Sequence, residues 1–158
     1  MERFPTAMTI AGSDSGAGAG IQADLKTFAA LGVYGTSVLT AVTAQNTQGI
    51  SAVHEIPDSI IADQIDSVIS DIGTKAVKIG MLFNSNIIRT VVGKIKDLNL
   101  PNLVVDPVMV AKGGDRLLQE EAIDVLRTEL LPLALVATPN IPEAEALTGI
   151  RILSLSDA

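Results

Sequence analysis

The sequence predicts an α/β fold in which helices cover a mostly parallel β-sheet. Three observations support this prediction. Short apolar runs alternate with stretches of helical periodicity, a glycine-rich loop joins the first run to the first such stretch, and polar residues follow several strand ends. Alternation of this kind is typical of βα units, whose parallel strands are buried on both faces. A chain of 158 residues, 47% of them hydrophobic, has the size and core material of one domain.

The strands are the apolar runs, and the helices are the periodic stretches between them. Strands are expected at residues 7–10, 37–42, 76–79, 103–106 and 135–137. Helices are expected at residues 21–31, 58–71, 86–98, 120–131 and 142–147. Asp58 after a proline and Pro142 after an asparagine are helix start signals. Residues 49–56 are expected to add a strand or a flap at the sheet edge.

Composition and charge exclude several classes of function. A net charge of −7 argues against a general nucleic-acid surface, and three Phe and one Tyr give little material for base stacking. No apolar run approaches the roughly 18 residues that would predict a membrane span. The chain has no cysteine and one histidine, so thiolate chemistry and a histidine metal cluster are excluded within it. We expect a cytoplasmic protein that acts on a small molecule.

The loop between the first strand and the first helix carries glycine at positions 12, 16, 18 and 20. Glycine accepts positive φ and has no Cβ, so backbone NH groups of such a loop can approach a ligand at a helix N-terminus. The spacing matches neither a P-loop nor the dinucleotide-binding motif, which also needs an acidic residue about 20 positions later. We predict that the loop contacts a different kind of small ligand.

Asp24 lies on the apolar face of the first predicted helix. At 3.6 residues per turn it falls between Phe28 and Leu31, on the face that also carries Ile21 and Leu25. An ionised carboxylate on such a face is costly unless a partner compensates it. We favour contact with a ligand. The alternative is a carboxylate that caps NH groups of the glycine loop.

Two further candidates follow strands, where ligands bind in open α/β sheets. The amide of Gln45 can donate and accept at once, which suits the edge of an aminopyrimidine, although an ordinary polar turn explains it equally well. Asp106 ends the strand at residues 103–106 and could hold Mg²⁺ through water or balance a phosphate-bound metal. The loop at residues 112–115 could lie near phosphates, but a surface turn is the preferred interpretation.

Asn140 and Glu143 support two interpretations that can hold together. In a capping box, Asn140 caps the helix and Glu143 reaches back from the third helical position. In a metal site, Glu143 would orient water around Mg²⁺ at the mouth of the sheet. Their position after a strand end slightly favours function.

Several segments together resemble the hydroxymethylpyrimidine/phosphomethylpyrimidine kinases of thiamine biosynthesis, a family of the ribokinase-like superfamily. The segments are residues 12–28, 43–49, 78–81, 106–114 and 138–149. The resemblance extends over nearly the whole chain. It implies a three-layer αβα fold and two successive ATP-dependent phosphorylations, first of hydroxymethylpyrimidine and then of its monophosphate.

The resemblance also assigns site residues. By residue matching, the pyrimidine pocket would be lined by Gly12, Asp24, Thr43, Gln45 and Met81. Gln45 would pair with the aminopyrimidine edge, and Asp24 would lie near the hydroxymethyl end. The Mg²⁺ and phosphate side would use Asp106, Asn140 and Glu143. The implied cofactors are ATP and Mg²⁺, and the implied assembly is a homodimer.

One feature of the family has no counterpart in this sequence. Its members carry a second glycine-rich segment that forms an anion hole and bears the residue poised at the substrate hydroxyl, and none follows Gly149 here. Residues 154–158 resemble the start of a further helix. We therefore expect residues 1–158 to be a single ribokinase-like kinase domain that is incomplete at its C-terminus, with the catalytic residue unassigned.

Two alternative functions stay open. Some pyridoxal kinases share this fold and nearly the same opening motif, although residues 43–47 favour a pyrimidine because of the paired donor and acceptor of Gln45. The second alternative is a non-catalytic pyrimidine-binding module that retains the pocket without the transfer machinery.

Overall fold

The computed structural model describes residues 4–110, 118–154 and 156–157. Within them, six strands form one sheet in the order β3-β2-β1-β4-β5-β6. The strands are β1 (Thr6–Asp14), β2 (Tyr34–Gln45), β3 (Ile50–Glu55), β4 (Ala76–Ile79), β5 (Leu103–Val105) and β6 (Val136–Ala137). β3 pairs antiparallel to β2 at one edge, and the other pairs are parallel. The predicted mostly parallel sheet is confirmed, and of the two alternatives for residues 49–56 the structure has the strand.

The helices follow the predicted alternation. They are α1 (Gly20–Ala30), α2 (Asp58–Asp71), α3 (Ser85–Asp97), α4 (Glu120–Val125) and α5 (Ile141–Thr148). The single helix expected at residues 120–131 is wrong in detail, because α4 continues as a π-helical turn at Leu126–Leu130 and a 3₁₀ turn at Leu131–Leu133. Pro132 explains the end of the helix, since proline lacks an NH donor and its ring collides with the preceding turn.

β1 and β2 extend well beyond their predicted apolar runs. In β2 the added residues include Thr36 and Thr43, which are buried because their hydroxyls find backbone acceptors on β1. The hydroxyl of Thr36 donates to the carbonyl of Ala7 at 3.4 Å, and that of Thr43 donates to the carbonyl of Ser13 at 2.9 Å. Burial of the hydrogen-bonded Thr43 hydroxyl therefore accompanies the extension of β2 to the edge of the sheet where the glycine loop begins.

Helices cover both faces of the sheet. Successive side chains of a strand point to opposite faces. In β1, Thr9 contacts Asp24 of α1, whereas Met8 and Ile10 belong to the main core with residues of α2 and α3. This is the three-layer αβα arrangement. Among the described residues, no helix combines the length and the apolar character needed to cross a membrane.

Three predicted details differ in the structure. Leu31 was expected on the apolar face of the first helix, but α1 ends at Ala30 and Leu31 is 73% exposed. Asp106 lies just after β5 and not within it. The expected helix start at residues 154–158 is a turn in its described part, where Asp157 N donates to the carbonyl of Ser154 at 3.1 Å.

Candidate active site

A cleft of about 260 Å³ opens at the carboxyl ends of β1, β2, β4 and β5. This is the end of a parallel sheet where α/β folds bind ligands, because loops to the covering helices diverge there. Its wall includes six of the eight residues singled out from the sequence, namely Gly12, Asp24, Thr43, Gln45, Met81 and Asp106. The loop at residues 112–115 lies outside the described residues.

The glycine loop is organised by Asp14, the last residue of β1. Its carboxylate accepts hydrogen bonds from the backbone NH groups of Gly16 at 2.7 Å, Gly18 at 3.0 Å and Ala19 at 2.8 Å. Asp14 is only 5% exposed. Three NH groups of the loop are therefore bound to the protein itself. The loop lines the cleft with Ala19 and Gly20.

Asp24 is held by two partners at the cleft wall. Thr9 Oγ1 donates to its Oδ2 at 2.6 Å, and Lys78 Nζ lies 3.2 Å from each of its carboxylate oxygens. Lys78 Nζ also lies 3.7 Å from Oδ2 of Asp106. The compensation that a carboxylate on this helix face requires thus comes from β1 and β4. The alternative in which Asp24 caps the loop NH groups is wrong, since Asp14 does so.

Gln45 is fixed at the end of β2 through its backbone. The hydroxyl of Ser15 donates to the Gln45 carbonyl at 2.6 Å and accepts from the Gln45 NH at 2.7 Å. The side-chain oxygen of Gln45 lies 3.0 Å from Thr43 Oγ1, whose single proton is shared between this oxygen and the carbonyl of Ser13. Among the described residues, no acceptor is hydrogen-bonded to the Gln45 amide nitrogen. That nitrogen is a donor available to a ligand.

Close backbone approach shapes the cleft wall between β1 and β4. A Cβ on Gly12 would lie 2.4 Å from Met81 Cε, so the absence of a side chain leaves room for the methionine. Gly80 leaves room for the ammonium of Lys78 in the same way, because a Cβ on Gly80 would lie 2.9 Å from Lys78 Nζ. These glycines let Met81 and Lys78 extend across neighbouring backbone into the cleft.

Asn140 and Glu143 form the predicted capping box at the start of α5. Asn140 Oδ1 accepts from the Glu143 NH, and Glu143 Oε2 accepts from the Asn140 NH, both at 2.9 Å. Neither residue is part of the cleft wall described above. They follow β6, the neighbour of β5, while Asp106 follows β5 itself. The capping interpretation is confirmed, and the metal interpretation stays a prediction.

The sequence of residues 14–158 matches the family model described as phosphomethylpyrimidine kinase. The chain belongs to the phosphomethylpyrimidine kinase family. A hydroxymethylpyrimidine/phosphomethylpyrimidine kinase of Haemophilus influenzae is 56% identical over 153 residues, which cover 97% of this chain and 57% of that protein. The corresponding kinase of Bacillus subtilis is 52% identical over 151 residues, 96% of this chain and 56% of that protein. The chain spans about half the length of these curated relatives.

Solved structures agree with this family membership. The crystal structure of a phosphomethylpyrimidine kinase from Clostridium difficile is 54% identical, with a TM-score of 0.91 over 97% of this chain and 66% of that chain. A pyridoxal kinase from Bacillus subtilis, solved as an ADP complex, is 42% identical, with a TM-score of 0.87 over 98% of this chain and 59% of that chain. The ribokinase-like fold expected from the sequence is confirmed.

Lys78 and Asp14 are two further residues of the site, beyond those predicted from the sequence. Asp14 closes an apolar run and is followed by Ser-Gly, a setting in which an aspartate commonly caps nearby NH groups. Lys78 interrupts the buried strand β4. A lysine inside a buried strand needs a partner, which is a signal for a carboxylate nearby.

Proposed function

We propose that the chain binds hydroxymethylpyrimidine and its monophosphate in this cleft and takes part in their ATP-dependent phosphorylation in thiamine biosynthesis. The observation that carries the proposal is one cleft that combines a free amide donor at Gln45 with charged groups at Asp24, Lys78 and Asp106. An aminopyrimidine with a hydroxymethyl arm needs both, a hydrogen-bonding edge for the ring and a polar end for the reacting oxygen.

The proposed orientation of the substrate follows from the two ends of the cleft. Gln45 would pair with the aminopyrimidine edge, and Gly12 and Met81 would contact the ring. Thr43 supports Gln45 through the 3.0 Å contact between its hydroxyl and the glutamine oxygen. Asp24 would lie near the hydroxymethyl end. This arrangement would hold the hydroxymethyl oxygen at a fixed place, and positioning supplies much of the catalysis in phosphoryl transfer.

ATP and Mg²⁺ are the proposed cofactors. Among the described residues, no group of three or more His, Cys, Asp or Glu side chains is placed to hold a metal ion. Mg²⁺ in phosphoryl-transfer sites commonly uses one or two carboxylates together with waters and substrate phosphates, so Asp106 fits such a site. When bound, the ion would neutralise phosphate charge. Asn140 and Glu143 would lie on the same side and position α5.

The reaction joins the hydroxymethyl oxygen to the γ-phosphorus of ATP while the bond to ADP breaks and a proton leaves the hydroxyl. For the second step, a phosphate oxygen of the monophosphate takes the place of the hydroxyl oxygen. We assign no proton acceptor. Residues 1–158 are proposed to act as one ribokinase-like domain.

Homodimer formation and a cytoplasmic location are part of the proposal. β3 is an edge strand, and Val53 on it and Val42 on its neighbour are partly exposed. Exposed edges with apolar side chains favour pairing with another chain. Light scattering after size exclusion tests the assembly, and a monomer at all concentrations would remove it.

The proposal is tested by ATP-dependent phosphorylation of hydroxymethylpyrimidine by this chain, with binding measured in parallel by calorimetry. Pyridoxal is the competing ligand, because the chain shares its fold with the Bacillus pyridoxal kinase. Tighter binding of hydroxymethylpyrimidine than of pyridoxal supports the proposal. Asp24→Asn should weaken that binding, whereas Asp63→Asn on the exposed face of α2 should not. Binding without turnover would favour the non-catalytic module, and preference for pyridoxal would contradict the proposal.

A further inference from the structure

The cleft carries an uneven set of charges. Three of its lining residues are acidic, namely Asp14, Asp24 and Asp106, and Lys78 is the cationic side chain among the described lining residues. The Asp14 carboxylate is occupied by three loop NH groups. Two carboxylates therefore share one ammonium, and the end of the cleft around Lys78 has an excess of negative charge.

Lys78 is placed in the cleft by its neighbours on the sheet. It pairs in register with Thr9 of β1, on the face covered by α1. Its ammonium passes over Gly80, where a Cβ would lie 2.9 Å away. The side chain is 23% exposed, so the ammonium is reachable from the cleft while its contacts to Asp24 and Asp106 hold it in place. A partly exposed ammonium can exchange one acidic partner for another without leaving water completely.

The two ligands of the proposed function differ in charge at the hydroxymethyl position, which the proposed orientation places at this end. The hydroxymethyl compound is neutral there, whereas its phosphate monoester carries between one and two negative charges near neutral pH. Asp24 and Asp106 repel such a phosphate. We propose that Lys78 is the residue that admits the phosphate monoester, by turning its ammonium from Asp24 and Asp106 to the phosphate oxygens. This inference rests on the proposed function and deepens it, because it assigns the recognition of the second substrate to one side chain.

The proposal predicts a selective effect of charge removal. Lys78→Met keeps the length of the side chain and removes the ammonium. Loss of the ammonium should weaken binding of the phosphate monoester by roughly 10- to 100-fold, the effect of one charge-assisted hydrogen bond. Binding of the neutral alcohol should change much less, since no ammonium–phosphate contact is lost. Lys78→Arg keeps the charge and should recover most of the affinity for the monoester.

The experiment is calorimetric titration of the full chain with hydroxymethylpyrimidine and with its monophosphate. Lys75→Met is the matched control, because it removes the same charge from an exposed lysine three residues earlier. It should leave the ratio of the two dissociation constants unchanged. Far-UV circular dichroism establishes that each variant is folded. If Lys78→Met does not fold, the wild-type chain is titrated at rising ionic strength, where affinity for the monoester alone should fall.

The outcomes separate the two proposals. Selective loss of the monoester in Lys78→Met, with recovery in Lys78→Arg, supports the role of Lys78. Equal weakening of both ligands overturns this role and leaves the proposed function intact. Wild-type binding of the alcohol without the monoester overturns this role together with the monophosphate part of the proposed function. If Lys78→Met does not fold, equal salt dependence of the two ligands overturns the role. A wild-type chain that binds neither pyrimidine overturns the proposed function and this inference with it.

Discussion

Gly20 meets the carbonyl oxygen of Gly12 so closely that a Cβ on Gly20 would lie 2.3 Å from that oxygen. Gly20 also has a φ of +57°, in the left-handed region. Gly20 is the first residue of α1. The end of the glycine loop can therefore pack against β1 only because position 20 has no side chain. The cleft wall and the start of α1 therefore depend on this contact.

Gly20→Ala is expected to lower the free energy of unfolding by roughly 2–4 kcal/mol, through left-handed backbone strain together with a collision against backbone. Gly32→Ala separates the two causes, because Gly32 has a φ of +72° and open space around its Cβ position. It should cost about 1 kcal/mol. Gly93→Ala, in open space within α3, should stabilise by about 0.5–1 kcal/mol. Urea unfolding measures the stability of all three variants. An equal loss of stability in Gly20→Ala and Gly32→Ala would show that collision with the backbone does not contribute.

Asp14→Asn is expected to destabilise the glycine loop. The carboxylate accepts three NH bonds, and an amide offers one oxygen and places a donor against the remaining NH groups. We expect a loss of roughly 2–4 kcal/mol in urea unfolding, with weaker pyrimidine binding. Asp63→Asn on the exposed face of α2 is the control and should change little. An Asp14→Asn variant with unchanged stability and unchanged pyrimidine binding would show that the loop does not depend on this carboxylate.

Gly12→Ala is expected to change the cleft more than the stability. The new methyl group would lie 2.4 Å from Met81 Cε, the flexible end of a side chain that can move aside. Destabilisation should stay below about 1.5 kcal/mol, while the dissociation constant for hydroxymethylpyrimidine rises. Adding Met81→Ala should restore part of the affinity lost through Gly12→Ala. If the double variant binds no better, the effect of position 12 does not act through Met81.

Gln45→Glu is expected to weaken binding of hydroxymethylpyrimidine by roughly tenfold or more, because the carboxylate lacks the amide donor. Calorimetric titration measures the change. Gln48→Glu adds the same charge on an exposed side chain three residues away and serves as the matched control. Equal weakening in the two variants would attribute the effect to charge and not to pairing with the ring.

Ser154→Ala is expected to raise the pKa of Asp157 toward its ordinary value. Hydrogen bonds from the Ser154 hydroxyl and the Leu153 NH hold that pKa below its usual value. A lowered pKa means that the ionised carboxylate stabilises this turn above the ordinary aspartate pKa, and that the stabilisation is lost as pH falls through the lowered value. Titration of Asp157 by NMR in the wild-type chain and in Ser154→Ala tests whether the Ser154 hydroxyl lowers this pKa. Identical pKa values in the two proteins would contradict that cause.

The order and type of the main elements follow from local sequence, with α2 and β4 at the predicted residues. Boundaries were less certain where tertiary contacts compete with local preference. β2 runs further than its apolar core, and the buried threonines Thr36 and Thr43 in the added residues find acceptors on β1. Nothing in an apolar pattern marks such a threonine as part of a strand.

An α/β sheet with a glycine loop and polar strand ends at one edge can be predicted from the amino-acid order, because these features depend on periodicity and on residues close in the chain. Which charged and polar groups pair with one another at that edge becomes visible in the folded sheet. Asp24 and Lys78 are 54 residues apart, and Asp14, not Asp24, binds the loop NH groups. The partner of a charge depends on distances between segments that meet only in the folded sheet, and Coulomb and hydrogen-bond energies are set by those distances.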